Sequence, residues 1–267
     1  MTLVLFIVAA LVYGAASFSY GTETSGEDDG AMAGVRRWAR LLLAIAATLH
    51  FVAIGAQCVE GDHPFKNIFL ATSFGSLIAV SGYLGLSRGH RLEALGPVMA
   101  PVGLVGLVLG VVFSGLGGDY VPAATTMPSA HVGLASLGLA GFTLAAGIAG
   151  LYLAMERRLR HKRFRPGSRG MSLTGLDRLH HRLVLLVTPV FTLAIVTGVL
   201  WILDLGGPHM LAGRWFELAA AGIAWAASVA LLVMRAVWGT RGRRSAWLTL
   251  TAFVAILLIV VSYGVRL

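Results

Sequence analysis

The sequence predicts an all-α membrane protein, a polytopic bundle of about eight transmembrane helices with both termini outside. Hydrophobic residues make up 57% of the 267 residues and charged residues only 12%, whereas soluble domains carry about 25% charged residues. Mean hydropathy is +0.81, and apolar runs long enough to cross a bilayer recur eight times along the chain. We therefore expect a single integral membrane domain over residues 1–267.

The apolar runs and the basic residues together predict the membrane topology. We place the eight spans at about 2–20, 38–58, 67–87, 94–115, 129–155, 178–203, 214–236 and 245–265. Eighteen lysines and arginines lie in connections on one side, and the other side has three, namely Lys66, Arg214 and Arg266. By the positive-inside rule the richer side is cytoplasmic, so both termini face outward. The first run lacks the basic n-region of a signal peptide, so we interpret it as a span.

The sixth span carries a proline near its middle. It begins with a basic segment containing two histidines, contains Thr188 and Pro189, and ends at Trp201. Proline inside a membrane helix removes one backbone hydrogen bond, which is tolerated when a neighbouring helix or a threonine hydroxyl bonds to the freed carbonyl. We therefore expect a membrane helix that bends near Pro189.

Charge and cysteine content exclude several classes of protein. The net charge is +9, but no basic face alternates with stacking aromatic residues, as nucleic-acid binding requires. We expect membrane lipid as a partner and no nucleic acid, with the basic segment 156–175 acting as an orientation anchor that attracts anionic lipid. Cys58 is the one cysteine, which excludes an internal disulfide, a CxxC dithiol and a CxxCH haem-attachment motif. Walker, HExxH and GxSxG motifs are absent as well.

Four of the eight histidines belong to the predicted outer half, namely His50, His63, His131 and His209. An ionisable group inside a membrane is costly and therefore indicates function, and neutral imidazole is a common axial ligand of haem iron. For His50, a ligand and a neutral histidine hydrogen-bonded across helices remain equal alternatives. His131 enters the fifth span shortly after a proline. His63 and His209, each next to a proline, are expected to be solvated loop residues.

Two further outer residues, Arg214 and Trp201, are candidates with structural alternatives. Arg214 lies three residues before Glu217 on one helical face, so these two side chains could simply pair. Trp201 ends a span, where aromatic residues are expected at the membrane interface without any function.

Five stretches resemble segments of the cytochrome c assembly membrane proteins, the CcsA, ResC and HemX-like family, and they occur in the same order along the chain. The stretch 187–201, VTPVFTLAIVTGVLW, is similar to the helix before that family's tryptophan-rich loop. The other four are LDRL at 176–179, DHPFKN at 62–67, SAHV at 129–132 and LYLAMERRL at 151–159. The resemblance covers about 40–265 and matches His131 to the first outward-facing histidine of the family.

The chain departs from the family pattern at its haem-handling parts. The loop W-G-x-Y-W-x-W-D-P-K-E should follow Trp201, but this chain keeps little of it besides Glu217. Met234 and Arg235 stand where the family has a histidine, and the final G-L-H-S-Y is absent. The chain therefore resembles the shorter HemX-like branch more than the haem-ligating synthase, and we lean towards a protein that is not an enzyme.

Two hypotheses follow from the resemblance. In the first, an accessory protein of the bacterial inner membrane binds or escorts non-covalent haem b at the outer face during cytochrome c assembly, with other assembly proteins as partners. His131, alone or with His50, would contact iron, Arg214 would pair with a propionate, and Trp201 would contribute to the cofactor site. As straight helices, the second and fifth spans place His50 about 8 Å deeper than His131, so paired ligation requires shifted or tilted helices. In the second, a haem-free structural or regulatory subunit acts through its basic cytoplasmic loop 156–175.

Overall fold

A computed structural model of the chain describes residues 2–23, 29–89, 92–113, 126–161, 171–206 and 208–265. All regular structure within these residues is helical, and eight of the helices are long and apolar enough to cross a membrane. These eight are α1 Thr2–Glu23, α2 Asp29–Val59, α3 Ile68–Gly89, α4 Gly96–Phe113, α5 Thr126–Arg160, α6 Leu173–Gly206, α8 Trp215–Trp238 and α9 Arg243–Val265. The predicted fold class is thereby confirmed, while the side to which the termini face stays a prediction.

Several helices extend beyond the predicted spans. Helix α2 begins well before residue 38, and α5 and α6 are longer at both ends than the apolar runs that predicted them. Apolar composition marks only the part of a helix that lipid surrounds, whereas backbone hydrogen bonds continue through the polar residues that follow. Two short helices were not predicted: the 3₁₀-helix Glu93–Leu95 and α7, Pro208–Gly213.

Contacts between helices divide the chain into two compact units, Met1–Gly118 and Asp119–Leu267. In the first unit α1 packs against α2 and α4, α3 packs against α4, and α2 contacts α3. In the second unit α5 packs against α6 and α9, α8 packs against α9, and α6 contacts α8. Each unit is therefore a four-helix ring in which the first membrane helix contacts the last.

Close packing in the first unit depends on glycines along α4. A Cβ atom at Gly106 would meet the side chain of Ser76, and a Cβ atom at Gly110 would lie 2.6 Å from the Cβ of Ser73, both on α3. Without an apolar driving force between helices in lipid, small residues allow the backbone contact that holds helices together. These two glycines thus set the distance between α3 and α4.

The second unit has an apolar core between α5 and α6. Phe142 and Phe191 lie edge to face with ring centroids 5.3 Å apart, and Val187 packs in the same buried cluster. Val187 also fills the space beside Gly141, where a Cβ atom would overlap it. Gly138 of α5 meets Phe191 of α6, and Gly141, further along α5, meets Val187, which lies earlier in α6. The two helices are therefore antiparallel.

Helix α6 continues without interruption through Pro189. Proline leaves the carbonyl of Leu185 without its usual helical donor. The hydroxyl of Thr188 donates to the carbonyl of Val184 at 2.7 Å, one residue away from the freed group. The bend near Pro189 stays a prediction.

A buried ion pair joins the start of α6 to the end of α8. The Nη2 of Arg235 lies 2.9 Å from Oδ2 of Asp177, and both side chains are about nine-tenths buried. The backbone N–H of Gly242 donates to the other oxygen, Oδ1, at 3.1 Å. Gly242 has a φ of +77°, which favours glycine, and the Tyr152 hydroxyl lies where its Cβ atom would be. Asp177 therefore fixes the connection between α8 and α9.

Replacing Gly106 by alanine should destabilise the first unit by about 1–3 kcal/mol, because overpacking forces α3 and α4 apart. The matched control is Gly85→Ala on α3, where a Cβ atom meets nothing within 4 Å. Thermal unfolding of the purified protein in mild detergent measures both. Equal stability of the two variants would contradict this account of the α3–α4 contact.

Replacing Asp177 by alanine should destabilise the protein by about 3–5 kcal/mol, because it leaves the Arg235 guanidinium buried without its counter-charge. Asp62→Ala is the control, since Asp62 pairs with Lys66 in an exposed position and such pairs contribute about 0–1 kcal/mol. The same unfolding measurement applies. A loss no larger than that of Asp62→Ala would show that the buried pair does not stabilise the helix ends.

Candidate functional site

His131 is the sixth residue of α5, and its ring faces α6. The Nδ1 atom lies 2.7 Å from the backbone carbonyl oxygen of Ala194. A carbonyl oxygen only accepts hydrogen bonds, so Nδ1 carries a proton and donates. In a neutral imidazole the other nitrogen, Nε2, then carries the lone pair. Within the residues that the structure describes, no group hydrogen-bonds to this Nε2.

Gly198 on α6 provides the space for the His131 ring. A Cβ atom at Gly198 would lie 2.6 Å from Cε1 and 2.8 Å from Nδ1 of His131. The carbonyl that His131 reaches belongs to Ala194, one helical turn earlier, and it also accepts from the Thr197 hydroxyl at 3.0 Å. Gly198 therefore allows the ring to lie close enough to α6 to bond its backbone.

Trp201 lies beside His131 on the same side of α6. The two ring centroids are 5.9 Å apart with an interplanar angle of 45°, and Trp201 is half-buried. The sequence placed both residues among the candidates, and the structure brings them together. Their surroundings are the start of α5 and the end of α6, which meet at one end of the second unit.

Arg214 and Glu217 lie at the start of α8, at the same end of the second unit. Arg214 is half-buried and directly precedes the helix. Glu217 is buried, and the Ser262 hydroxyl on α9 donates to its Oε1 at 3.4 Å. This end of the unit thus combines an imidazole, an indole, a cation and a carboxylate.

His50 lies in the first unit and is fully buried. Its Nε2 is 2.9 Å from the Ser73 hydroxyl on α3, and its Nδ1 is 3.4 Å from the Tyr13 hydroxyl on α1. Both ring nitrogens therefore have polar neighbours on other helices. This geometry is that of the neutral histidine hydrogen-bonded across helices, the structural alternative for this residue.

The remaining outer histidines are less informative. His63 is half-buried in the connection before α3, with its ring centroid 6.2 Å from that of Phe65. His209 belongs to α7, and its side chain lies outside the described residues. The described parts of the chain hold no group of three or more histidine, cysteine, aspartate or glutamate side chains that could bind a metal ion. Haem iron, which the porphyrin and a histidine can hold, does not require such a group of side chains.

Sequence reasoning missed Gly198 and Ala194. Gly198 is one of 34 glycines, and its signal in the sequence was its place in the stretch 187–201 that resembles the family, three residues before Trp201. The acceptor on Ala194 is a backbone carbonyl, which every residue has. The pairing of this carbonyl with His131 follows only from the packing of α5 on α6.

The described helices define an all-α, multi-pass membrane protein. The family model for the cytochrome c assembly protein matches residues 40–267, and the chain belongs to this family. Protein HemX of Brevibacillus brevis is 27% identical over 171 residues, which cover 62% of this chain and 63% of HemX. The match thus spans less than two thirds of that relative. A comparison with solved structures gives no match. Family membership supports a role in cytochrome c biogenesis.

Replacing Gly198 by alanine should displace the His131 ring and break its hydrogen bond to Ala194, because the added Cβ overlaps the ring. Nitrogen NMR of ¹⁵N-histidine-labelled protein in detergent reports the protonated nitrogen, and His131→Gln assigns the signal. We expect the protonated Nδ1 signal of His131 to shift or disappear. The control, Gly150→Ala on α5, has open space at its Cβ atom and should leave the signal unchanged. An unchanged signal in Gly198→Ala would contradict the contact.

Proposed function

We propose that the protein binds haem b non-covalently at the His131 end of the second unit and holds it for cytochrome c assembly. The observation that carries the proposal is the hydrogen bond from Nδ1 of His131 to the Ala194 carbonyl. Histidines that bind metals usually donate their other ring N–H to a carbonyl or carboxylate, which fixes the tautomer and increases the basicity of the ligating nitrogen. With Nδ1 bonded in this way, Nε2 of His131 would be the atom that holds haem iron.

The neighbouring side chains suit the rest of such a cofactor. Trp201 offers an aromatic surface next to His131, of the kind that packs against a porphyrin. Arg214, at the same end of the unit, would pair with a haem propionate, since guanidinium and carboxylate groups form strong hydrogen bonds. Exposed apolar side chains on α5 and α6, such as Leu137 and Leu200, add apolar surface. When bound, haem would supply the iron and the macrocycle that an apocytochrome receives.

The chain's own residues would bind and orient, without making or breaking covalent bonds. A CxxCH motif is absent, so haem would remain exchangeable. His50 is a weaker iron ligand in this proposal, because Ser73 and Tyr13 lie at its two nitrogens. We propose a location in the bacterial inner membrane, with the site at the outer face and other cytochrome c assembly proteins as partners.

Titration of the purified full-length protein with haem in mild detergent tests the proposal. We expect a Soret band that differs from that of free haem, oxidised and reduced. His131→Ala should weaken haem binding by more than about tenfold and shift the band, since even the loss of an outer hydrogen-bond partner costs a metal site about 10–100-fold. Gly198→Ala should weaken binding without removing the band.

His50→Ala separates a ligand from a structural histidine. We expect it to keep the position of the Soret band and to lower the unfolding temperature, because the variant leaves a cavity and removes contacts to Ser73 and Tyr13. His161→Ala, at an exposed position of the opposite end, is the control for nonspecific haem binding by histidine. A protein that stays colourless after haem addition, or a band indifferent to His131, would overturn the proposal and favour the haem-free subunit.

A further inference from the structure

A second polar cluster lies at the end of the second unit opposite to His131. Here α5 and α8 end and α6 and α9 begin. The cluster consists of Asp177, His180 and His181 on α6, Arg235 on α8 and Thr249 on α9. Most of these groups have partners: Asp177 bonds Arg235 and the Gly242 backbone, and Nε2 of His180 lies 2.8 Å from the Thr249 hydroxyl.

Two atoms of the cluster are buried and lack a hydrogen-bond partner among the described residues. One is Nη1 of Arg235, the amino group that does not face Asp177, and the other is Nδ1 of His181. His181 lies within electrostatic range of both Arg235 and Asp177. His181 follows Asp177 by one turn of α6, on the same helical face, and Arg235 bonds Asp177. Both residues therefore lie beside the same carboxylate.

The chemistry of these two atoms defines what they would bind. A guanidinium nitrogen only donates hydrogen bonds, and a histidine nitrogen donates when it carries a proton. A buried donor on a charged group that lacks an acceptor is costly. Asp177 already uses both of its oxygens, one on Arg235 and one on Gly242. Neither oxygen accepts from Nη1 of Arg235, so an acceptor from outside the cluster would satisfy this donor.

The charge around the cluster favours an anionic acceptor. Among the described residues, eight exposed arginines lie at this end of the second unit, which are Arg157, Arg158, Arg160, Arg178, Arg182, Arg241, Arg243 and Arg244. Glu156 pairs with one of them, Arg160. Arginine also matches the geometry of phosphate oxygens better than lysine does, because its planar guanidinium presents parallel donors.

We propose that Arg235 and His181 form a binding site for a phosphate group, with Nη1 and Nδ1 as its two buried donors. The exposed arginines attract the anion, and the two buried donors hold it at one place. The phosphate belongs either to the headgroup of an anionic phospholipid or to free phosphate. Basic pockets between helix ends on the cytoplasmic side are known sites for anionic headgroups. This site is independent of the proposed haem site.

Native mass spectrometry of the full-length protein, titrated with phosphatidylglycerol or with phosphatidylcholine, tests the proposal. Arg235→Lys keeps a cation for Asp177 and removes the second amino group. We expect it to weaken phosphatidylglycerol binding about tenfold, the effect of one hydrogen bond to a charged group. Arg182→Lys makes the same exchange at an exposed arginine and should change the affinity little. Far-UV circular dichroism and gel filtration establish that each variant is folded.

His181→Ala is a second, independent variant. Among the described residues His181 forms no ion pair, so its removal breaks none. It should also weaken phosphatidylglycerol binding, and phosphatidylcholine should bind the wild type and both variants equally weakly. Titrating the same variants with inorganic phosphate and measuring their unfolding temperatures distinguishes free phosphate from a lipid headgroup. Stabilisation of the wild type but not of Arg235→Lys identifies free phosphate, and selective loss of phosphatidylglycerol identifies the lipid.

Two results would overturn the proposal. One is that neither phosphatidylglycerol nor inorganic phosphate binds the wild type. The other is that Arg235→Lys and His181→Ala bind both probes as Arg182→Lys does, because the affinity would then come from surface charge alone.

Discussion

The dominant physical constraint on this molecule is that polar groups inside lipid must find their partners within the protein. The buried histidines illustrate it. His50 lies between Ser73 and Tyr13, His131 bonds the Ala194 carbonyl, and His180 meets Thr249. Each of these contacts joins two helices, so the polar side chains also define which helices are neighbours and at what depth they meet.

The buried histidines differ in how many of their ring nitrogens have partners. At His50 both ring nitrogens have side-chain neighbours, and the ring joins three helices. At His131 Nδ1 donates to a backbone carbonyl, and Nε2 has no hydrogen-bond partner among the described residues. A membrane histidine with one ring nitrogen unbonded says more about possible binding than one with both nitrogens bonded. The unbonded nitrogen shows where a binding partner would have to lie.

The membrane spans were predictable from sequence because lipid demands long apolar runs, and the eight helices follow those runs. Helix ends such as Asp29 in α2 were not predictable, since polar residues outside lipid continue a helix without any change in hydrophobicity. Of the candidate site, His131 and Trp201 were identified by type and position. Gly198 and the pairing of Asp177 with Arg235 were not, because both depend on contacts between residues far apart in sequence.

The ring of four helices in each unit has a consequence for how the chain is made. In the first unit α4 contacts α1 and α3, so this bundle can complete its internal contacts as soon as α4 has entered the membrane. The second bundle closes only when α9 meets α5. Units of a chain generally fold in the order of synthesis. Assembly in the membrane would thus proceed in two rounds, and the His131 end would be completed in the second.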